Sequence, residues 1–135
     1  MSIGADVTAA LPGMRAAAES LMVDSVRVER PGLPVTDPET GDVTTPSVVV
    51  YVGPGKVQST LPQAAHPVAG EHQFTVQQAS VHVPVSAGPV MVGDLVVPVA
   101  VVHDAALVGR VFRVKELLHK SFATAQRLSV EEVVA

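Results

Sequence analysis

The sequence contains no cysteine and no tryptophan, and its aromatic residues are one tyrosine and three phenylalanines. Without cysteine the chain has no disulfides, no thiolate metal sites and no cysteine nucleophile. With so few aromatic rings it also lacks a stacking platform for single-stranded bases. These absences exclude thiol redox chemistry and cysteine-based catalysis, and they argue against sequence-specific reading of RNA.

A strongly positive charge and a long apolar run are also missing. The formal net charge is −4, so the chain as a whole has no attraction for nucleic acid or an anionic membrane. The longest apolar stretch, residues 95–102, contains Pro98 and is shorter than the roughly 20 residues that a membrane-spanning helix needs. The first twenty residues lack a basic end followed by an apolar run, the pattern of a secretory signal. We therefore expect a soluble protein that is made in the cytoplasm and has no membrane partner.

Valine is the abundant residue, at 29 of 135 positions, against nine leucines and one isoleucine. Its β-branched side chain favours strands. Alternation of apolar and polar residues begins near Ser25, and turn signals separate further extended runs. The strongest turn signal, at residues 37–42, predicts a hairpin, and residues 53–55 are expected to interrupt a later strand. We predict one mainly β domain over residues 1–135, a small barrel or sandwich of six to eight strands.

One α-helix is predicted near the N-terminus. Apolar residues recur there at helical spacing, and Arg15 and Glu19 form an i,i+4 pair on another face. Pro12 suits the first turn of a helix, where its missing N–H costs nothing. The pattern predicts a helix over about residues 12–23.

Residues 61–70 hold two prolines, three alanines, one glycine and no charged residue. This composition predicts a long surface loop over about residues 60–71, and loops of that length often carry function.

Candidate catalytic and metal sites are weak. The five histidines form no His-x-His or His-Glu-x-x-His pair of the kind that zinc sites use. His103 and Asp104 could join a serine in a triad, but no Gly-x-Ser-x-Gly turn is present. Residues 53–56 lack the full phosphate-binding loop pattern. We predict no enzyme activity, no catalytic residue, no bound metal and no cofactor.

The charged residues are distributed unevenly. Five of the nine basic residues fall between Gly109 and Arg127, and residues 35–42 are acidic. The basic residues are Arg110, Arg113, Lys115, Lys120 and Arg127, and the acidic ones are Asp37, Glu39 and Asp42. Such patches are compatible with an ordinary solvated face. They are equally compatible with head-to-tail contact between identical subunits of a ring.

Several runs of the sequence resemble, in order and over nearly the whole chain, a family of small neck proteins of long-tailed bacteriophages, the head-closure or head-to-tail stopper type. The runs are residues 11–22, 37–41, 51–58, 93–96, 107–114 and 121–128. The resemblance implies a small β-barrel that assembles as a ring between the portal-bound adaptor and the tail. Such a ring closes the DNA channel after packaging and opens for ejection, without enzyme activity.

The resemblance also implies partners. These are further copies of the chain, with a hexamer favoured over a dodecamer, the portal or adaptor proteins, the tail terminator, and genome DNA held without sequence specificity. The expected location is the virion neck. Contact positions do not transfer one by one, so the candidate subunit or partner contacts are the charged residues Arg15, Glu19, Asp37, Glu39, Asp42, Arg110, Arg113, Lys120 and Arg127.

In similar stoppers a loop projects into the channel and gates it. The candidate here is the uncharged loop, which can block DNA sterically without gripping its phosphates. Its candidate channel residues are Thr60, Leu61, Pro62, Gln63, Ala64, Ala65, His66, Pro67, Val68, Ala69 and Gly70.

Two other functions remain open at this point. One is a monomeric β-barrel that binds a small ligand or peptide in a cavity lined by its valine-rich inner face. The other is a barrel hydrolase with an unrecognised site around His103 and Asp104.

Overall fold

The computed structural model describes residues 2–59 and 78–133. One helix precedes eight strands in the described residues, and short 3₁₀ turns follow the fifth and sixth strands. The elements are α1 (Ile3–Ser20), β1 (Asp24–Pro31), β2 (Val35–Thr36), β3 (Val43–Thr44), β4 (Ser47–Ser59), β5 (Gln78–Val83), β6 (Leu95–Ala100), β7 (Phe112–Leu118) and β8 (Gln126–Glu132).

Helix α1 begins nine residues earlier than the predicted start and ends at Ser20, so the predicted range of about 12–23 is wrong at both ends. The side chain of Ser2 caps the helix by accepting a hydrogen bond from the Ala5 amide, and Asp6 places a negative charge in the first turn. Both features stabilise a helix start at this point. Pro12 therefore lies inside the helix, where it removes one backbone hydrogen bond instead of occupying the first turn.

Six strands close into a barrel in the order β1-β4-β5-β8-β7-β6. Every pairing is antiparallel, and β1 closes the barrel by pairing with both β4 and β6. The remaining two strands, β2 and β3, pair only with each other. The prediction of a small barrel of six to eight strands with one N-terminal helix is confirmed.

The barrel interior is filled mainly by valine. On β1 the predicted alternation is confirmed, because Val26 and Val28 are fully buried, whereas Arg27 and Glu29 face outward. A narrow barrel has room for compact side chains on its inner face, and this explains the composition. The buried core cluster comprises Val26, Val28, Ala79, Val81, Val83, Val90, Val96, Phe112, Val114, Leu128 and Val130.

Strand β4 is continuous, contrary to the expectation that residues 53–55 interrupt it. It runs through Pro54 and pairs with β1 as far as Gly55. Gly55 is buried, and a Cβ atom at this position would lie 2.7 Å from Cγ2 of Val26. The glycine therefore allows two neighbouring strands to pack closely and does not mark a turn.

The predicted hairpin at residues 37–42 is confirmed as the tip of a projecting arm. Residues 32–46, here called the acidic arm, include β2 and β3 and leave the barrel between β1 and β4. Every residue from 31 to 49 is exposed, so the acidic arm does not pack against its own barrel. At its root the Gly32 amide donates to the Pro46 carbonyl at 2.7 Å, which holds the two sides of the arm together.

Candidate subunit-contact surfaces

The tip of the acidic arm is an ordered turn that carries three carboxylates. The Asp37 amide donates to the Asp42 carbonyl, and the Gly41 amide donates to the Asp37 carbonyl, each at 2.8 Å. Gly41 has a φ of 76°, which few other residues adopt readily. The backbone amide of Glu39 donates to Oδ1 of Asp37 at 2.8 Å, and this bond lowers the pKa of Asp37 below its usual value. The Asp37 carboxylate is therefore held in its charged form.

The acidic arm also exposes apolar side chains next to its charges. Leu33, Val35 and Val43 are 85%, 55% and 64% exposed. Scattered apolar residues on a surface are ordinary, but these three lie on one short ribbon that packs against no other part of the described chain. The acidic arm thus offers both negatively charged and apolar surface to a molecule that contacts it.

A basic cleft lies at the end of the barrel where β7 turns into β8. It has a volume of about 470 Å³ and is enclosed by that turn, by residues 85–89 and by α1. Among the described residues its lining contains three cationic side chains, Arg15, Lys120 and Arg127, and no acidic one. We call it the basic cleft, and its lining residues are Arg15, Val85, Gly88, Pro89, Leu117, Leu118, His119, Lys120, Ser121, Ala123, Ala125, Gln126, Arg127 and Leu128.

Hydrogen bonds fix the walls of the basic cleft. Nε of Arg15 donates to the Ala123 carbonyl at 3.0 Å and ties the helix to the β7–β8 turn. The side-chain amide of Gln126 donates to the carbonyls of Pro84 at 3.1 Å and Gly88 at 2.7 Å, which ties β8 to the opposite wall. The basic cleft is therefore built from three parts of the chain that are held in place by directional bonds.

Its positive charge continues along the outside of the barrel. Lys56 on β4 pairs in register with His82 on β5, and His82 pairs with Arg127 on β8. Burial lowers the pKa of His82 below its usual value, and the positive charges of Lys56 and Arg127 lower it further. His82 is therefore a neutral member of this row near pH 7.

The structure divides the basic residues predicted as one patch. Arg110 forms an ion pair with Glu132 at 3.0 Å, and Arg113 lies 3.9 Å from Glu131. Lys120 and Arg127, by contrast, line the basic cleft. Within the described residues neither of these two side chains has an ion-pair partner.

The sequence does not predict that Arg15 lines the basic cleft together with Lys120 and Arg127. The contact from Arg15 to Ala123 spans 108 positions of the chain, and no local sequence pattern predicts it. The other candidate on the helix, Glu19, lies near Tyr51, whose pKa is raised first by burial and then by the Glu19 charge.

Helix α1 has an exposed apolar side. It has no buried residue; on this side Ile3 and Met14 are 82% and 39% exposed, and Leu21, which follows the helix, is 60% exposed. Leu11 and Ala18, on the neighbouring side, are partly covered. The helix therefore contacts its own barrel with one side and leaves another free for contact.

The candidate channel residues 60–70 lie outside the described residues. In the part of the chain that is described, no three histidine, aspartate or glutamate side chains come together in a group able to hold a metal ion. No helix of that part combines the length and the hydropathy needed to cross a membrane.

Similarity to known proteins is found at the level of a protein family. No curated protein and no solved structure matches the chain. A protein-family model, described as a family of unknown function (DUF6093), matches residues 14–131 and thus most of the barrel as well as the second half of α1. The chain therefore belongs to the DUF6093 family.

Proposed function

We propose that this protein is a structural virion neck protein of a long-tailed bacteriophage. It assembles as a ring between the portal or adaptor and the tail, closes the DNA channel after packaging and opens it for ejection. The observation that carries the proposal is the acidic arm, in which every residue is exposed. A ribbon that does not pack on its own barrel needs a neighbour if it is to bury its apolar side chains.

Three further features support this function. The exposed apolar side of α1 provides a second contact surface, suited to the adaptor or portal. The resemblance to head-closure proteins covers the helix, the arm tip and the β7–β8 region in order. The inner face of the barrel is occupied by packed valines, such as Val81, Val83 and Val130, each fully buried, which suits a rigid structural subunit.

The proposal is tested by locating the protein and measuring its assembly. Virions are probed with an antibody raised against the purified chain, and the chain co-expressed with neighbouring neck proteins is analysed by mass photometry and negative-stain microscopy. We expect labelling at the head–tail junction and a closed ring, with a hexamer favoured over a dodecamer. An exclusively monomeric protein that is absent from virions would contradict the proposal.

The channel-gate part of the proposal has its own test. Deletion of residues 64–68 is expected to leave folding intact and to weaken DNA retention in filled heads, measured as the fraction of heads that keep their DNA. Replacement of the same five residues by a glycine-serine stretch of equal length is the control for loop length. Unchanged retention in the deletion would mean that another segment forms the gate.

A second candidate is a monomeric barrel that binds a small ligand or peptide, although packed valines fill the inner face, where the sequence predicts the cavity. The basic cleft favours it, since about 470 Å³ lies within the range of small-ligand sites and its lining would suit an anionic group. A rise in melting temperature on adding an acidic peptide, without self-association, would support this alternative.

A further inference from the structure

We infer that the tip of the acidic arm of one copy docks into the basic cleft of the next copy. This inference rests on the proposed function in that it takes the chain to assemble with itself. It adds which surfaces meet, in which direction, and which charged residues hold them together.

The charges of the two surfaces are opposite in sign and equal in number. The acidic arm carries Asp37, Glu39 and Asp42 and no basic residue, while the basic cleft is lined by Arg15, Lys120 and Arg127 and, among the described residues, by no acidic one. Complementary potentials of this kind select the partner surface and speed association. Each surface alone repels its own kind, so arm-to-arm and cleft-to-cleft pairing are disfavoured.

Both surfaces are available for contact. The acidic arm is exposed along its whole length, and none of its residues lines the basic cleft of the same chain. Within the described residues, the carboxylates of Glu39 and Asp42 accept no hydrogen bond, and Lys120 and Arg127 form no ion pair. The four charges are thus free to pair across an interface.

Shape and apolar area support the same contact. The cleft volume, about 470 Å³, accommodates a tight turn of a few residues. Leu117, Leu118 and Pro89 add apolar surface to the walls, where Val35 and Val43 of an incoming arm could be covered. Such burial supplies the hydrophobic contribution that surface charges alone do not provide.

The positions of the two surfaces suit a ring. Nη2 of Arg30, at the root of the acidic arm, lies 3.3 Å from the carbonyl oxygen of Pro89, which lines the basic cleft. The acidic arm and the basic cleft therefore lie at the same end of the barrel. Because they are different surfaces, a contact between the arm of one copy and the cleft of the next is head-to-tail. Repetition of such a contact by a rotation that closes gives a ring, with all arms and clefts in one layer.

The contact is tested by reversing the charges on each side separately. The arm variant carries Glu39→Lys and Asp42→Lys, and the cleft variant carries Lys120→Glu and Arg127→Glu. Asp37 and Arg15 are left unchanged because their side chains hold the arm turn and the helix in place. A control with Glu116→Lys and Glu131→Lys changes the net charge as the arm variant does, at positions outside both surfaces, where Glu116 is exposed and Glu131 forms only a long ion pair of 3.9 Å.

The full-length chains are examined by mass photometry and sedimentation velocity at low and high salt, after circular dichroism has shown that each is folded. We expect the wild type and the control to assemble at low salt and to dissociate as salt rises. Each reversed variant alone stays monomeric, because its arm and cleft carry charges of the same sign. An equimolar mixture assembles again, because each arm then meets a cleft of opposite charge on the other variant.

Several outcomes would overturn the inference. These are a wild type that stays monomeric at its highest soluble concentration in low salt, variants that still assemble alone, or a mixture that does not recover. Binding of duplex DNA by the cleft of a monomeric chain would identify a different occupant. Rings at the virion neck that survive both reversals would leave the proposed function standing, whereas arm–cleft assembly of a protein absent from virions would refute only the proposed function.

Discussion

Arg30 and Asp94 join the root of the acidic arm to the turn that precedes β6. Nε and Nη2 of Arg30 donate to Oδ1 and Oδ2 of Asp94, both at 3.0 Å. Asp94 is 1% exposed, and its Oδ2 also accepts the Met91 amide at 2.8 Å. The bond to Asp94 raises the pKa of Arg30 above its usual value. This two-point contact ties β1, just before the arm begins, to the turn before β6.

Replacement of Asp94 by alanine is expected to lower the free energy of unfolding by about 3 kcal/mol, because it removes a buried acceptor of several charge-assisted or backbone hydrogen bonds. Chemical denaturation followed by circular dichroism measures the loss. The matched control is Glu131→Gln, which breaks an exposed ion pair of 3.9 Å and should cost less than about 1 kcal/mol. Equal losses of unfolding free energy in the two variants would show that the Arg30–Asp94 contact stabilises the fold no more than an exposed ion pair does.

Close packing of β1 against β4 gives a second prediction. A methyl group on Gly55 would lie 2.7 Å from Cγ2 and 3.0 Å from Cγ1 of Val26, so Gly55→Ala should destabilise the barrel by about 1–3 kcal/mol. The combined variant with Val26→Ala should be more stable than the sum of the two single losses implies, because the smaller side chain makes room for the methyl group.

The control for this prediction is Gly13→Ala in α1, where an added Cβ meets nothing within 4 Å. This change should raise the helical circular dichroism signal and leave the barrel's unfolding transition where it was. If the losses of stability in Gly55→Ala and Val26→Ala simply add up in the combined variant, the clash between the methyl group and Val26 is relieved by movement of the strands.

The sequence predicted the features that depend on short-range pattern. The alternation at Val26 and Val28 indicated a strand with one buried face, and the turn residues from Asp37 to Asp42 indicated a hairpin; both are confirmed. The predicted barrel of six to eight strands also follows from such local signals, because many short extended runs separated by turns have few ways to bury one face each.

Features that depend on distant residues were not visible in the sequence. Arg30 and Asp94 are 64 positions apart, and Arg15 meets the β7–β8 turn across 108 positions. The basic residues were predicted as one patch because they are close in sequence, yet the ion pairs of Arg110 and Arg113 separate them from Lys120 and Arg127. The helix starts well before Pro12, because Ser2 caps it, although Pro12 also fits the pattern of a first-turn residue.

The lowered pKa of His82 predicts a pH dependence of stability. Burial and the charges of Lys56 and Arg127 make the folded chain bind a proton less readily than an unfolded histidine does, whose pKa is about 6.5. The unfolded state therefore gains more protons as the pH falls below about 6.5, and stability decreases in that direction. Above this pH the contribution of His82 is fully present.

We expect His82→Gln to flatten the fall in unfolding free energy below about pH 6.5. The same exchange at the exposed His103 is the control for the loss of a histidine as such. Unfolding curves collected at several pH values in one buffer series measure both. Parallel profiles for the wild type and His82→Gln would contradict the assigned cause.

Removal of the acidic arm should separate folding from assembly. Residues 33–45 are replaced by Asn-Gly, a two-residue hairpin loop, which spans the gap because the Gly32 amide and the Pro46 carbonyl are already joined at 2.7 Å. Since all removed residues are exposed, we expect the melting temperature to remain close to that of the wild type and self-association to be lost. A full-length arm with Glu39→Gln and Asp42→Asn is the matched variant, and it should assemble more weakly than the wild type but better than the shortened chain. Unchanged assembly of the shortened chain would mean that the arm takes no part in subunit contact, whereas a large drop in its melting temperature would mean that the arm stabilises the barrel from which it projects.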